Sequence, residues 1–220
     1  MKLGIQIVLW IVIIFLGWKL WNSVMGPVEF NKVKEARYVN VINNLKDIQA
    51  AELAHKEITG SFTGDWDSLV NFIETAKFAI TQRRDTSYAD VAKNKAYGID
   101  QGYFMNETLI DTLGFTPIKD SLFAGSDRYK TMMNVPVEGV NAKFELKSGK
   151  IVKNDATYSV FEAKVSKDVV LGDLNKDLLT QEKQVQSVDG VNGPDIKVGS
   201  LEDVNTTGNW PKIYDSGKDK

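Results

Sequence analysis

The chain has 220 residues, with 27 Lys and Arg against 29 Asp and Glu, a formal net charge of -2; this balance excludes the basic excess of a nucleic-acid binder. At 43% hydrophobic and 25% charged residues it is neither a disordered chain nor one embedded in lipid throughout. With no cysteine and one histidine, His55, the sequence excludes disulfide frameworks, thiolate metal sites, thiol catalysis, a Cys-anchored lipid and a His-rich metal site, and it leaves no basis for a His-dependent triad.

Residues 3–18 are apolar apart from Gln6, and the run continues past Lys19 to Trp21. At ~1.5 Å per residue this reaches roughly 28 Å, close to the ~30 Å hydrocarbon core of a bilayer. Leu3, Trp10, Phe15, Trp18 and Trp21 are the expected anchor residues. Trp18 and Trp21 fall at one end, where amphipathic rings favour the interface, and Lys19 can extend its ammonium to headgroups. The alternative is a cleaved secretion signal, which needs a shorter core and a small-x-small site. The exit Trp21-Asn22-Ser23-Val24-Met25-Gly26 matches such a site poorly, so the segment reads as an uncleaved transmembrane anchor over residues 1–22. Counting nearby cations, with Lys2 on one side and Lys19, Lys32, Lys34 and Arg37 on the other, favours a cytoplasmic C-terminal domain. The layout of a signal-anchor favours the opposite, and the expected topology is a single inner-membrane span with the C-terminal domain in the periplasm.

Gly26-Pro27 punctuates the chain, and Pro27 suits the first turn of a new helix. Residues 23–60 read as an amphipathic stalk, with Val33, Val41, Leu45 and Ile48 recurring at steps of three or four on a face that packs on the domain or on a partner. Five cations balance five carboxylates between residues 29 and 57, so this is not a polybasic lipid-binding helix. Gly60 ends it, and His55 is expected near that end, facing solvent or a carbonyl.

Residues 61–204 read as one α+β domain with an antiparallel sheet. Asp65 suits the cap of a short helix carrying Trp66, Leu69, Val70 and Ile73. A strand is expected over 77–83, an irregular excursion over 84–102 with one helical turn at 88–95, an irregular connection over 112–123 and a strand over 128–133. Residues 142–147 and 150–153 read as strands of a hairpin turning at Ser148-Gly149. The strand over 157–165 is the best defined, 178–188 reads as a short helix or strand, and 194–198 as an edge. Residues 205–220 read as a polar tail.

Enzyme motifs are absent: there is no phosphate-binding Gly-rich loop, H-E-x-x-H or G-x-S-x-G. The sequence therefore reads as non-enzymatic, with no catalytic, cofactor-binding or metal-binding residues and no cofactor. Asp173-Leu174-Asn175-Lys176-Asp177 spaces oxygen ligands as a calcium loop does, but Leu178 and Gln184 stand where that loop needs Gly and Glu. The segment reads first as a turn or helix cap, and Arg83-Arg84 as an exposed charged loop.

The run from Val41-Ile42-Asn43-Asn44-Leu45 to Glu52, followed by Thr59-Gly60-Ser61-Phe62-Thr63-Gly64-Asp65-Trp66, resembles the helix exit of type IV pilins and type II secretion pseudopilins. The likeness spans residues 3–73. It implies a hydrophobic helix continuing into an amphipathic one, then a Gly-aromatic turn, a short helix and an antiparallel sheet. Gly4 is followed by Ile5, and Leu9 stands at the fifth position where pilins carry Glu, so the prepilin-peptidase signature is missing. Lys119-Asp120-Ser121-Leu122-Phe123, Val160-Phe161-Glu162-Ala163-Lys164, Lys197-Val198-Gly199-Ser200 and Gly208-Asn209-Trp210 are similar to an uncharacterised family of single-pass Gram-negative envelope proteins. These resemblances imply a structural or assembly subunit of a secretion, motility or transport complex, with the inner membrane, other envelope or membrane proteins or further copies of the chain as partners, and no nucleic acid. The alternative is a membrane-tethered ligand- or glycan-binding module using Tyr88, Tyr97, Tyr103 and Trp210.

Overall fold

A computed structural model describes residues 2–100 and 102–215, with the side chains of Lys2 and Asn22 left aside. Met1, Gln101 and the 216–220 end of the expected polar tail lie outside the described residues. The architecture is mixed helix and antiparallel sheet, in two compact units: Met1–Val70 with Asp127–Lys220, and Asn71–Ser126.

The first unit is organised by α1 (Lys2–Thr59), one helix of 58 residues. At ~1.5 Å per residue it is about 87 Å long. The break expected at Gly26-Pro27 does not occur, and Pro27 lies inside the helix. Proline removes a single rung and crowds the carbonyl four residues back; the unbroken rungs on both sides outweigh that local loss. From Phe30 onward α1 buries Tyr38, Val41, Ile42, Leu45, Ile48, Ala51 and Ala54. Steps of three and four keep these side chains on one stripe. They lie in the unit whose three-stranded sheet is made of β3 (Glu145–Lys153), β4 (Ala156–Ser166) and β5 (Asp195–Gly199), ordered β3-β4-β5 with both pairings antiparallel. α1 touches both β4 and β5.

The central strand β4 contributes the buried Val160, Phe161, Ala163 and Val165, and the Phe161 ring lies 4.7 Å from that of Phe62. The β3–β4 turn is at Asn154-Asp155, both with positive φ (52° and 59°), rather than at Ser148-Gly149. Asn and Asp tolerate the left-handed region that a two-residue hairpin turn requires. Gly149 instead sits within β3 opposite Val160. Residues 128–130 form a single 3-10 turn where a strand was expected. Two short helices follow β4: α5 (Lys167–Leu171) and α6 (Lys176–Lys183).

Between these parts of the chain runs α2 (Trp66–Thr75), which crosses from the first unit to the second and buries Leu69, Phe72 and Ile73. Asp65 caps it, accepting the Ser68 N–H at 2.8 Å. The second unit also holds β1 (Lys77–Ala89), α3 (Val91–Ala96), β2 (Phe104–Pro117) and α4 (Ile118–Phe123). β1 and β2 pair along their whole length as a two-stranded antiparallel ribbon, with a bulge between Ile80 and Thr81 that skips Leu113. Thirteen residues at ~3.3 Å each make it roughly 43 Å long. Only the first seven residues of β1 carry an expected strand, because residues 84–89 are mostly polar without alternation, and the apolar residues of β2 fall on both faces.

Gly199 closes β5 at φ +78°, and a Cβ there would collide with the Phe161 carbonyl of the central strand. Gly193, at φ +81°, has open space around it. Gly199→Ala is therefore expected to lower unfolding stability by on the order of 3 kcal/mol or more, and Gly193→Ala by about 1 kcal/mol. Urea melts of the two variants check this difference.

Candidate functional site

The apolar end of α1 is a bare rod. Leu3, Trp10, Phe15, Trp18 and Trp21 are all exposed, Leu3 at 72% and Trp21 at 66%. The helix is long and apolar enough to cross a membrane by length and composition, and none of its most apolar window is buried. Large contiguous apolar surfaces are rare on soluble monomers and mark contact with lipid or protein. Among the described residues the first buried side chain of α1 is Phe30, so bare rod and core stripe share one helix axis.

On the lower part of the helix, Val41, Leu45 and Ile48 are fully buried and Val33 is half-buried. A polar clamp ties the same stretch to α5 and α6. Lys167, wholly inaccessible, donates to the Glu182 carbonyl oxygen at 2.7 Å, to Glu182 Oε1 at 3.2 Å and to the Val191 carbonyl at 2.8 Å. The Tyr38 hydroxyl donates to Glu182 Oε1 at 3.1 Å, and Lys34 to Oε2 at 3.0 Å. One carboxylate on α6 thus gathers two side chains of α1 and one of α5. Burial raises the Tyr38 pKa far above the ordinary phenol, and the Glu182 charge adds to this. Burial lowers the Lys167 pKa, against the pull of Glu182. One turn along α1, Arg37 grips Asp173 in a two-pronged pair, with Nη2 to Oδ2 at 2.7 Å, and also donates to the Val170 carbonyl at 2.8 Å.

The candidate calcium ligands are thereby given other work. Asp173 is held by Arg37, and Asn175 caps α6 by accepting the N–H groups of Asp177 and Leu178. Among the described residues no group of three or more His, Asp or Glu is placed to hold a metal ion. His55 lies near the end of α1 with Nδ1 2.7 Å from the Ser61 carbonyl oxygen. An open groove beside α1, about 540 Å³ and lined by Asn40, Asn43, Asn44, Lys46, Asp47 and Arg128 among others, holds the Asp47–Arg128 ion pair, 2.8 Å from Nε to Oδ2.

Glu52 is the unusual titratable group of α1. It is fully buried; Oε2 accepts the Thr63 N–H at 3.0 Å, and Oε1 has no hydrogen-bond partner. Burial pushes its pKa up to about 8, against the opposing Thr63 bond, so the acid is mostly neutral at pH 7. The hydrogen bond pins the turn after α1.

The β1–β2 ribbon is the feature that periodicity missed. Ile80, Tyr88, Phe104, Met105, Ile110, Leu113 and Phe115 are exposed along it. Arg83 and Arg84 lie in β1 rather than in a loop, with Arg84 3.2 Å from Asp111 across the ribbon. Of the candidate aromatic contacts, Tyr97 and Tyr103 lie with ring centroids 5.2 Å apart, Tyr88 is on β1, and the Trp210 indole N–H donates to Asp215 at 2.9 Å. Neither a known protein family, nor a curated protein, nor a solved structure matches the chain.

Removing Lys167 alone leaves the buried Glu182 with only Lys34 and Tyr38, while removing both leaves no charge orphaned in the core, only the Tyr38 hydroxyl without its acceptor. Lys167→Met and Glu182→Leu are each expected to cost about 3–5 kcal/mol, and the double variant less than their sum by more than about 1 kcal/mol; denaturant midpoints of the four proteins measure the coupling. Because the folded-state pKa of Glu52 lies above its unfolded value of 4.5, its stabilising neutral form is fully present below pH 4.5 and is lost as pH rises through about 8. Glu52→Gln is expected to remove about 3–5 kcal/mol of the decline in stability across that window, seen as a flatter curve of unfolding free energy against pH.

Proposed function

We propose that the chain is a non-enzymatic, membrane-tethered subunit: a pilin-like body held at the inner membrane by the first part of α1, with the folded domain in the periplasm, acting in the assembly of a secretion, motility or transport machine. The observation that carries this reading is the division of labour along one helix. The bare apolar rod and the core stripe are parts of the same continuous α1, so a body fixed to the stripe is also fixed to whatever holds the rod. A rigid helix of this kind transmits position and orientation, and the Arg37–Asp173 and Lys34–Glu182 pairs hold the body against rotation about the helix. Pilin-likeness rests on the order of parts: apolar helix, amphipathic continuation, Gly-aromatic turn, short helix, antiparallel sheet. Gly64 supports that turn, since a Cβ there would lie 2.9 Å from the Ser148 nitrogen. The ligand-binding alternative has less to work with, because Tyr103 is already engaged by Tyr97 and by the Lys93 ammonium 5.0 Å above its ring.

In cells, the full chain is expected to stay with membranes through carbonate extraction, and a double Ile11→Asp, Phe15→Asp variant to move to the soluble fraction. Photo-crosslinkers placed along the exposed face of residues 3–28 and on the ribbon are expected to yield discrete protein adducts. A soluble wild-type chain lacking its first two dozen residues would overturn the tether, and a reporter after Lys220 that is active only in the cytoplasm would overturn the orientation.

A further inference from the structure

The β1–β2 ribbon is built like a sheet segment rather than a finished sheet. Two strands alone are marginal in water, yet this pair runs for thirteen residues on one strand and fourteen on the other. Among the described residues no third strand pairs with either edge. Natural edges of such length are blunted with charges, prolines or bulges. Here the blunting is uneven: β1 carries Lys77, Arg83 and Arg84 against Asp85, while β2 carries Glu107 and Asp111 and no cation. Glu107 has no ion-pair partner among the described residues, and neither has Lys77.

We propose that the ribbon is a self-assembly edge: β1 of one copy pairs antiparallel with β2 of a second copy, extending the sheet β1-β2-β1-β2 from chain to chain. This deepens the assembly-subunit reading by naming a second copy of the chain as the partner. Charge favours this pairing through Glu107, which has no ion-pair partner among the described residues, whereas Asp111 already meets its own Arg84 at 3.2 Å. In the register that the two strands keep within one chain, Arg84 stands opposite Leu109. Repeating that register between copies sets Arg84 of the second copy opposite Leu109, with Glu107 and Asp111 two residues to either side on the same face, within diagonal reach of a guanidinium. It also sets Tyr88 beside Met105 and Ala89 beside Phe104, covering apolar side chains now exposed. The like-to-like registers that bring the same charged residues together are repulsive. Two β2 edges centred on Leu109 set Glu107 against Asp111, and two β1 edges set Arg83 against Arg84, each a repulsive cross-strand contact. The contact is therefore heterologous and open-ended. A lipid surface is disfavoured as occupant, since residues 77–117 hold five cations and five carboxylates and offer no polybasic attraction.

The test uses the full chain in mild detergent, with two affinity tags on separately expressed copies and co-recovery of one tag with the other as the readout. R83E/R84E makes both edges acidic and E107K/D111K makes both basic. Each alone is expected to lower co-recovery at least tenfold, and mixing the two to restore it. The fourfold swap R83E/R84E/E107K/D111K keeps complementarity within the ribbon. It is expected to recover itself as well as wild type does while failing to recover wild type, a sorting that a misfolded ribbon cannot produce. A monomeric wild type, co-recovery indifferent to the swaps, or ribbon crosslinks found only to lipid or to a different protein would overturn the proposal. Crosslinks to other envelope proteins together with a monomeric ribbon would sink the edge pairing alone and leave the tethered-subunit reading standing.

Discussion

The continuity of α1 is the constraint on which the rest of the first unit depends. A helix of 58 residues cannot be stabilised by propensity alone; it needs an apolar stripe buried by tertiary packing. Only the part beyond Phe30 has one within the chain, made of Tyr38, Val41, Ile42, Leu45, Ile48, Ala51 and Ala54. The most apolar window of the earlier part has no buried residue. The packed part is held by tertiary burial, and the bare part is long and apolar enough to suit a low-dielectric surrounding, where a helix satisfies every backbone polar group internally.

Polar groups then fix what apolar burial leaves free. A stripe packed on a sheet can slide by a turn at modest cost, but a buried Lys167–Glu182 pair with Tyr38 and Lys34 on the same carboxylate cannot. Such a cluster is weak as net stabilisation and strong as a register device, because any slip leaves a charge buried without its partner. Glu52 does related work near the C-terminal end of α1 with a neutral acid. Its bond to the Thr63 N–H costs no buried charge while the proton stays on.

The second unit follows other rules. Its ribbon has little core of its own and leaves large apolar side chains such as Ile110, Leu113 and Phe115 in solvent. Paired strands stay in register through backbone hydrogen bonds and cross-strand contacts such as Arg84 with Asp111, yet exposed ion pairs add little. The length and exposure of this ribbon are what the proposed edge pairing rests on.

Much of this was legible in the residues themselves. The apolar run over 3–21, the stripe through Val41, Leu45 and Ile48, the Asp65 cap and the strand around Val160 and Phe161 each rest on a local period or a local hydrogen bond, and a sequence displays those directly. What needed the folded chain was everything set by non-local partners or by competition between signals. Pro27 signals a break, but the rungs around it prevailed; Ser148-Gly149 reads as a turn, but Asn154-Asp155 made it. β2 carries apolar residues on both faces and so lacks the alternation by which a strand is recognised, and only its pairing with β1 defines it. Lys167 and Glu182, fifteen residues apart with no periodic relation to Lys34 or Tyr38, look like ordinary surface charges until the helices are stacked, because burial and charge pairing are properties of a place in three dimensions and not of a position along the chain.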